Sequence, residues 1–326
     1  MPSLFSKALN GVSVKHCKNT AESAAVRMPV PDKVVIPMIQ HMGAPCEPLV
    51  KVKDTVTVGQ LIGDSNEFLS APIHSSVSGT VTAIEDFVTS GGEKCKSVVI
   101  ATDKLQTVSP DVVPPVVNSR EDFLKAVRSC GLVGLGGAGF PTHIKLNPKN
   151  LDQVDTLVVN GAECEPYITC DMRLMLERTD SIMGGIQAVM KYLDIKTAVI
   201  GIEDNKPEAI AKMTEAASKL EGVSVLTMKS KYPKGAEKVI IYEATGRVVG
   251  EGQLPADVGV IAMNVATLSK LDEYLKTGMP LVEKMLTVDG GAVAEPKNVI
   301  APIGTPIKDL MDFCGGYKSE PHKLLM

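Results

Sequence analysis

The second half of the chain alternates short apolar segments with helical patterns, and this alternation constrains the fold most. The segments are VDTLVVN, TAVIGIE, VSVLTMK and GVIAMN. The stretches between them carry apolar residues at helical spacing. Strands that alternate with helices are typical of βαβ units, whose strands pair in parallel. We therefore expect an α/β domain built on a parallel sheet.

Local signals predict where the helices of this region begin and end. Ser119 is expected to cap a helix whose first turn is acidic, and Gly131 to end it. One continuous helix is predicted from about residue 171 to 192. Asn205-Lys206-Pro207 suits the start of another helix, because proline is tolerated in a first turn.

Residues 31–105 show another pattern, in which short strands are separated by turns, as in a small β sandwich or barrel. The phrase LVKVKDTVTVGQLIGDSNEFLSAPIHSSVSGTVTAIE resembles the biotinyl/lipoyl-carrier hammerhead. In that family a lysine at the hairpin tip carries the cofactor. The corresponding tip here, residues 64–68, reads DSNEF and has no lysine. We therefore expect this domain to have a structural or docking role.

The rest of the chain divides around these two regions. Residues 1–30 form a lead-in, and the Pro-rich stretch PDVVPPVVNSR marks a linker. Residues 115–278 are predicted to be the central α/β domain. In residues 279–320, two short strands flank an Asp-Gly-Gly turn and precede a short helix. This arrangement predicts a C-terminal β-grasp module.

Composition excludes several classes of function. A net charge of -4 and 4% aromatic residues argue against a nucleic-acid partner. The seven cysteines are scattered with no C-x-x-C, so neither a disulfide framework nor a metal site built from adjacent pairs is expected. No apolar run approaches the roughly 20 residues that span a bilayer. We expect a cytoplasmic protein, which could dock as a peripheral protein on the cytoplasmic face of the membrane.

A glycine-rich run gives the strongest functional signal. Gly134 to Gly139 reads GLGGAG and matches G-x-G-x-x-G, but a helix precedes it where a dinucleotide-binding fold needs a strand. Glycines still let the backbone approach a flat or phosphorylated ligand and direct N–H groups at it. Lys145 could pair with a phosphate. The alternative is a flexible structural loop.

Longer motifs around this run resemble a known family. GLVGLGGAGFPTHIKL and LVVNGAECEPYITCDMRLM are similar to the flavin-binding subunit of respiratory complex I, and more closely to the RnfC subunit of the Rnf electron-transport complex. The resemblance includes YPKGAEKVII, MNVATL and a soluble-ligand-binding β-grasp (SLBB-like) C-terminus. The flavin-binding subunits of complex I have an arginine where this chain has Leu135, which favours the Rnf side.

The resemblance implies FMN and NAD(H) as cofactors, and residues that hold them. None of these residues is expected to act as an acid or base, because the flavin carries the chemistry. The implied binding residues are Gly134, Gly136, Gly137, Gly139, Phe140, Lys145, Asn160, Glu163, Glu165, Asp171, Gly235, Glu237, Asn264 and Thr267.

The resemblance also implies a reaction and partners. Hydride would pass from NADH to FMN, or the reverse, and electrons would continue to iron–sulfur centres of a larger complex. RnfC proteins normally hold 4Fe–4S clusters in a C-terminal ferredoxin-like region that this sequence lacks. The clusters are therefore expected in a missing region or in a partner. The expected partners are a ferredoxin-like electron carrier and the other subunits of a membrane-bound or soluble electron-transfer complex.

Other functions stay open at this stage. Within the family, the chain could be a cobalamin reductase or serve an amino-acid reductase. Outside the family, it could be a non-catalytic scaffold or soluble-ligand-binding subunit, or a dehydrogenase with a direct organic substrate. The last is least favoured, because His143 alone lies next to the glycine loop and no histidine has a convincing acid–base position.

Overall fold

A computed structural model describes residues 11–89 and 91–326, which form two compact units. One unit comprises residues 23–145 and 273–326, and the other combines the described part of residues 1–22 with residues 146–272. Each unit therefore joins segments that are far apart in sequence. Residues 1–10 of the predicted lead-in lie outside the described residues.

The described residues form fourteen strands and eight α-helices, and none of these helices is long and apolar enough to cross a membrane. The strands are β1 (Val26–Arg27), β2 (Lys33–Pro37), β3 (Glu47–Pro48), β4 (Thr55–Val56), β5 (Leu61–Asp64), β6 (Ile73–His74), β7 (Gly79–Val88), β8 (Lys94–Thr102), β9 (Thr156–Asn160), β10 (Thr197–Glu203), β11 (Val223–Met228), β12 (Val260–Asn264), β13 (Glu283–Val288) and β14 (Lys297–Pro302). The helices are α1 (Arg120–Ser129), α2 (Thr142–Lys145), α3 (Cys170–Glu177), α4 (Thr179–Leu193), α5 (Pro207–Ala217), α6 (Glu237–Thr245), α7 (Val265–Thr277) and α8 (Ile307–Phe313).

The strands β2–β8 form the predicted β sandwich. One sheet has the order β2-β8-β7-β4 and the other β3-β5-β6, and their pairs are antiparallel. Alternate residues of β2 are buried because successive side chains point to opposite faces of a strand. Val34 and Ile36 pack there with Ile62 and Ile100 in one aliphatic core.

The hairpin tip of this sandwich is anchored to α1. Arg128 Nη2 donates hydrogen bonds to Asp64 Oδ1 at 2.8 Å and to the Ser65 carbonyl at 3.0 Å. A guanidinium that binds a carboxylate and a backbone oxygen together restrains both groups. The tip is thus held against its own unit.

The C-terminal module contains a strand that the sequence pattern did not reveal. Strands β13 and β14 pair antiparallel, as expected, and α8 follows them. Strand β1, from near the N-terminus, adds in parallel to the other edge of β14. Val26 and Arg27 are both exposed, so no alternation of apolar residues marks this strand.

The central parallel sheet is confirmed, with the order β11-β10-β9-β12. Strand β9 is buried along Thr156–Val159, as expected for a strand covered on both faces. The carboxyl ends of parallel strands meet at one edge of a sheet. That edge carries Glu203, Asn160 and Asn264, the last residues of β10, β9 and β12.

The helix predictions are confirmed in part. The Ser119 side chain accepts a hydrogen bond from the Asp122 amide, and Gly131 follows α1 with φ +67°. The single helix predicted from about 171 to 192 is wrong, because α3 and α4 are separate. The Thr179 hydroxyl donates to the Met175 carbonyl at 2.6 Å and competes with the backbone for this acceptor. The chain leaves helical geometry at Arg178, where φ is -132°.

Buried His74 should make stability depend on pH. Burial lowers the pKa of its imidazole to about 4, so the folded protein binds this proton less well than the unfolded chain. The contribution of neutral His74 to the free energy of unfolding is present above pH ~6.5 and is lost as pH falls toward 4. Between pH 8 and pH 5 this loss amounts to about 2 kcal/mol. Urea unfolding should therefore show that the free energy of unfolding falls less between pH 8 and pH 5 in His74→Gln than in the wild type.

Exposed His322 supplies the control, because His322→Gln should keep the wild-type dependence on pH. Burial also lowers the pKa of His41 and His143, so part of the dependence should remain in His74→Gln. An undiminished difference in unfolding free energy between pH 8 and pH 5 in His74→Gln would contradict the assignment.

Candidate functional site

Two asparagines lie side by side at the carboxyl edge of the parallel sheet. Asn160 and Asn264 are register partners across β9 and β12. The side chain of Asn264 donates to Asp171 Oδ2 at 2.7 Å, which connects the edge of the sheet to the start of α3. Its Oδ1 accepts the Ala266 amide at 2.7 Å and so orders the first turn of α7.

The Asn160 side chain connects two loops. Its Nδ2 donates to the Gly235 carbonyl at 2.8 Å, and its Oδ1 accepts the Ala162 amide at 3.1 Å. An added Cβ on Gly235 would lie 3.0 Å from Cys164 Sγ, so glycine allows the close approach of these loops. The structure therefore brings together five of the predicted site residues: Asn160, Glu163, Asp171, Gly235 and Asn264.

The carboxylate of Glu163 is buried, with a side chain 2% exposed. Its carboxylate accepts the Asp171 amide at 2.6 Å and lies against the N-terminus of α3, where a negative charge is favoured. Burial and the neighbouring carboxylate of Asp171 nevertheless raise the pKa of Glu163, while Lys18 and Lys206 oppose the rise. The groups around Glu163 thus act on its charged form in opposite directions.

Lys206 anchors the loop that carries Glu163. Its side chain is 1% exposed, and Nζ donates to the Ala162 carbonyl at 2.6 Å and to Asn205 Oδ1 at 2.9 Å. Nζ also lies 3.6 Å from Glu203 Oε2, whose side chain is 2% exposed. A buried ammonium needs such partners, since transfer from water without them is costly. The sequence pattern around Lys206 indicates only a helix start, so this role was not predicted.

The remaining predicted residues of this unit differ in how far a ligand could reach them. Glu165 is exposed and accepts a hydrogen bond from the Tyr232 hydroxyl at 3.2 Å. Glu237 is exposed as the first residue of α6. Thr267 is only 2% exposed and offers a ligand little surface. Tyr232 was not predicted, since its contact with Glu165 joins loops far apart in sequence.

Residues 161–168, called the Glu163 loop below, lie beside a group of side chains that could hold a metal ion. Ligand atoms of Glu163, Cys170 and Asp171 lie within 4.8 Å of one another. However, the Glu163 carboxylate accepts backbone amides of α3, and Asp171 accepts the amide of Asn264. These hydrogen bonds account for the positions of the two carboxylates.

The glycine loop belongs to the other unit and follows α1, so it lacks the preceding strand of a dinucleotide-binding fold. The Gly134 amide donates to the Phe140 carbonyl at 3.0 Å and closes the loop. Gly139 has φ +67°, and its Cβ would meet the Gln40 carbonyl at 3.2 Å, so glycine is required there. Residues 136–138 are exposed, while Lys145 at the end of α2 is half-buried.

Gly137 differs from Gly139, because neither conformation nor packing explains it. Its φ lies outside the left-handed region, and an added Cβ would meet no heavy atom within 4 Å among the described residues, chain neighbours aside. Residues 137–139 border a cavity of ≈ 420 Å³, which His41, Met42 and Glu93 also line. The loop thus leaves room for a ligand against bare backbone.

Family models match three consecutive parts of the chain. Residues 7–105 match the RnfC barrel sandwich hybrid domain, residues 127–273 the Nuo51 FMN-binding domain and residues 285–324 the SLBB domain. The chain is 46% identical to the RnfC subunit of the proton-translocating ferredoxin:NAD(+) oxidoreductase complex of Clostridium ljungdahlii, over 94% of this chain and 68% of the relative. The chain belongs to the RnfC family.

Other RnfC relatives differ in the length that the chain covers. Identity is 43% to the RnfC subunit of the Na(+)-translocating ferredoxin:NAD(+) oxidoreductase complex of Acetobacterium woodii, over 90% of this chain and 67% of the relative. It is 38% to the RnfC subunit of the Pseudomonas aeruginosa ion-translocating oxidoreductase complex, over 91% of this chain but 39% of the relative. The resemblance to RnfC and the predicted three-part fold class are confirmed.

A solved structure supports the fold alone. A chain of an NAD+-reducing [NiFe]-hydrogenase in the air-oxidized state superposes with a TM-score of 0.52 and 21% identity, over 61% of this chain and 39% of that chain. This likeness fits an RnfC-family chain whose central region matches the Nuo51 FMN-binding domain.

The buried Lys206–Glu203 pair should contribute strongly to stability. Removing one partner of a buried ion pair leaves the other uncompensated, so Lys206→Met should lower the unfolding free energy by about 3 kcal/mol. The double variant Lys206→Met/Glu203→Gln should recover at least half of that loss. Denaturant unfolding at pH 7 measures both values. Equal losses in the single and double variants would contradict the role assigned to the pair.

Proposed function

We propose that this chain binds FMN and NADH and serves as an electron-transfer subunit of a ferredoxin:NAD(+) oxidoreductase complex. When bound, FMN supplies hydride exchange with NADH and single-electron transfer to iron–sulfur centres. The complexes of the Clostridium ljungdahlii and Acetobacterium woodii relatives support the assembly, and the Nuo51 FMN-binding match supports the cofactor.

Gly137 carries the proposal. Its missing side chain serves no contact within the described protein, while its backbone is exposed beside a cavity. Backbone without Cβ atoms can lie against a flat ring system and direct amides at a phosphate. Gly134, Gly136, Gly137, Gly139 and Phe140 would hold FMN, and Lys145 would contribute a positive charge for its phosphate.

The carboxyl edge of the parallel sheet supplies polar groups of another kind. Such edges are common sites for nucleotides and flavins. The exposed carboxylates Glu165 and Glu237 would accept hydrogen bonds from ribose hydroxyls or a carboxamide. Asn160, Asn264 and Asp171 would act by fixing the backbone of the loops around them, together with Glu163, Gly235 and Thr267. No residue needs to transfer a proton for hydride exchange.

The proposed partners follow from the same family. Electrons would pass to 4Fe–4S clusters in the complex and to a ferredoxin-like carrier, with NADH as the other substrate. The chain would work in the cytoplasm, as a peripheral subunit docked on membrane subunits. Cobalamin reduction and amino-acid reductase chemistry are the alternatives within the family.

Absorbance spectroscopy tests the proposal. After reconstitution with FMN and removal of free flavin, the protein should retain a visible flavin band at near-stoichiometric amount. Anaerobic addition of NADH should bleach that band, and an artificial acceptor such as ferricyanide should restore it. A protein that retains no flavin would be a docking subunit, and one that retains flavin without bleaching would not be an NADH oxidoreductase.

Gly137→Val should abolish or strongly weaken FMN binding without affecting the fold. The new side chain would occupy the open space at the loop, so we expect the FMN dissociation constant to rise at least about 100-fold, or roughly 3 kcal/mol. Fluorescence titration of FMN measures the affinity, and circular dichroism together with thermal melting measures the fold.

Gly291→Val is a matched control. Gly291 is also exposed, with φ outside the left-handed region, and an added Cβ there would meet no described heavy atom within 4 Å. This variant should bind FMN as the wild type does. Wild-type affinity in Gly137→Val would remove the glycine loop from the proposed site.

A further inference from the structure

Residues 11–22, called the strap below, belong to the same unit as the parallel sheet, although the whole β sandwich follows them in sequence. Val12 and Tyr232 exchange two backbone hydrogen bonds of 2.8 Å. The Cys17 amide donates to the Pro166 carbonyl at 3.0 Å, and the hydroxyls of Thr20 and Thr169 lie 2.5 Å apart. The strap therefore contacts both the Glu163 loop and the turn before α6.

Lys18 makes the most concentrated contact of the strap. Its Nζ donates to the carbonyls of Glu163 at 2.9 Å, Glu165 at 2.8 Å and Ile168 at 2.5 Å. An ammonium group has three donors, and all three are used on the backbone. The side chain is 15% exposed, and Nζ lies 3.9 Å from Glu163 Oε2. The loop is thus wrapped around one positive charge.

This contact solves a problem of the loop itself. Residues 161–168 form no helix or strand, so their carbonyl groups lack the partners that regular structure provides. Oxygens that converge on one point repel each other unless a cation lies between them. Glu163 has φ +48°, a conformation uncommon outside glycine. Lys206 donates to the Ala162 carbonyl and, at 3.5 Å, to that of Glu163, so the carbonyls further along are held by Lys18.

We propose that Lys18 is a positioning residue, whose ammonium holds residues 163–168 in the conformation that binds flavin and nucleotide. The inference rests on the proposed function for the identity of the ligands, flavin and nucleotide. The statement that Lys18 holds residues 163–168 does not depend on that function. It assigns a role to the N-terminal segment, which the sequence pattern predicts only as a lead-in. Lys18 acts through the backbone of the loop. Because that backbone is fixed, it determines the position from which the Glu165 side chain extends.

Cys164 reports on the loop without any cofactor. It lies between two of the residues that Lys18 binds, it is half-buried, and burial raises the pKa of its thiol. In flavin-free protein, Lys18→Met should raise the rate of Cys164 alkylation by iodoacetamide several-fold, measured by peptide mass spectrometry. Buried Cys314 of the other unit is the internal reference and should keep its rate.

Two further variants sharpen this test. Lys15→Met removes an exposed charge from the same strap and should leave the Cys164 rate unchanged. Lys18→Arg keeps the charge, but a planar guanidinium cannot aim three donors at converging carbonyls, so we expect a smaller increase. A wild-type rate in both Lys18 variants, or in Lys18→Arg alone should Lys18→Met not fold, would overturn the inference.

Steady-state kinetics separate positioning from general stability. At saturating FMN with ferricyanide as acceptor, Lys18→Met should raise KM for NADH roughly tenfold and leave kcat within about twofold of wild type. Faster Cys164 alkylation with unchanged KM and unchanged FMN affinity would overturn the positioning role. A wild-type protein that binds no FMN would instead overturn the proposed function, while the alkylation rates would still decide whether Lys18 holds the loop.

Discussion

The loop after β9 is held by the ammonium groups of two lysines, and the arrangement of the polar groups at the edge of the sheet depends on them. Lys206 binds the carbonyl of Ala162, and Lys18 binds the carbonyls of three residues further along. Buried backbone oxygens need donors, and in this loop side chains replace the ladder of a strand. The loop thereby places the Glu163 carboxylate at the N-terminus of α3, where it accepts the Asp171 amide.

The two units present different kinds of surface. The unit with the parallel sheet presents a polar edge, where Asn160 and Glu163 bind backbone groups and Asn264 binds the carboxylate of Asp171. The other presents a short stretch of bare glycine backbone beside a cavity. Among the described residues, neither surface carries an evident acid–base pair. Such surfaces suit a cofactor that brings its own chemistry and needs to be oriented.

Sequence patterns predicted the elements that depend on local signals. The strand ending at Asn160, the cap at Ser119 and the parallel sheet all follow from periodicity and capping chemistry. The sequence also showed that a helix, and not the strand of a dinucleotide-binding fold, precedes the glycine motif. The break between α3 and α4 was missed, because one threonine hydroxyl competing for a carbonyl does not alter the apolar pattern.

The site could be predicted only as far as the motifs reach. Asn160 was found because it ends a predicted strand and Glu163 because it follows closely, while Asp171 was reached only through the family resemblance. Lys18 could not be found, since its partners lie 145 to 150 residues away and are backbone atoms that leave no mark on side-chain pattern. Strand β1 was missed for a similar reason, because its pairing is main-chain and both of its residues are exposed.

Hydrogen–deuterium exchange of the wild-type protein with and without FMN tests the central claim most directly. It reads out backbone amides, which are the groups assigned to the ligand. The account predicts slower exchange on FMN binding in residues 134–139, and further slowing in residues 161–168 when a non-reducing NADH analogue is added. FMN binding that protects only other segments, and leaves the glycine loop exchanging as in the flavin-free protein, would contradict the account.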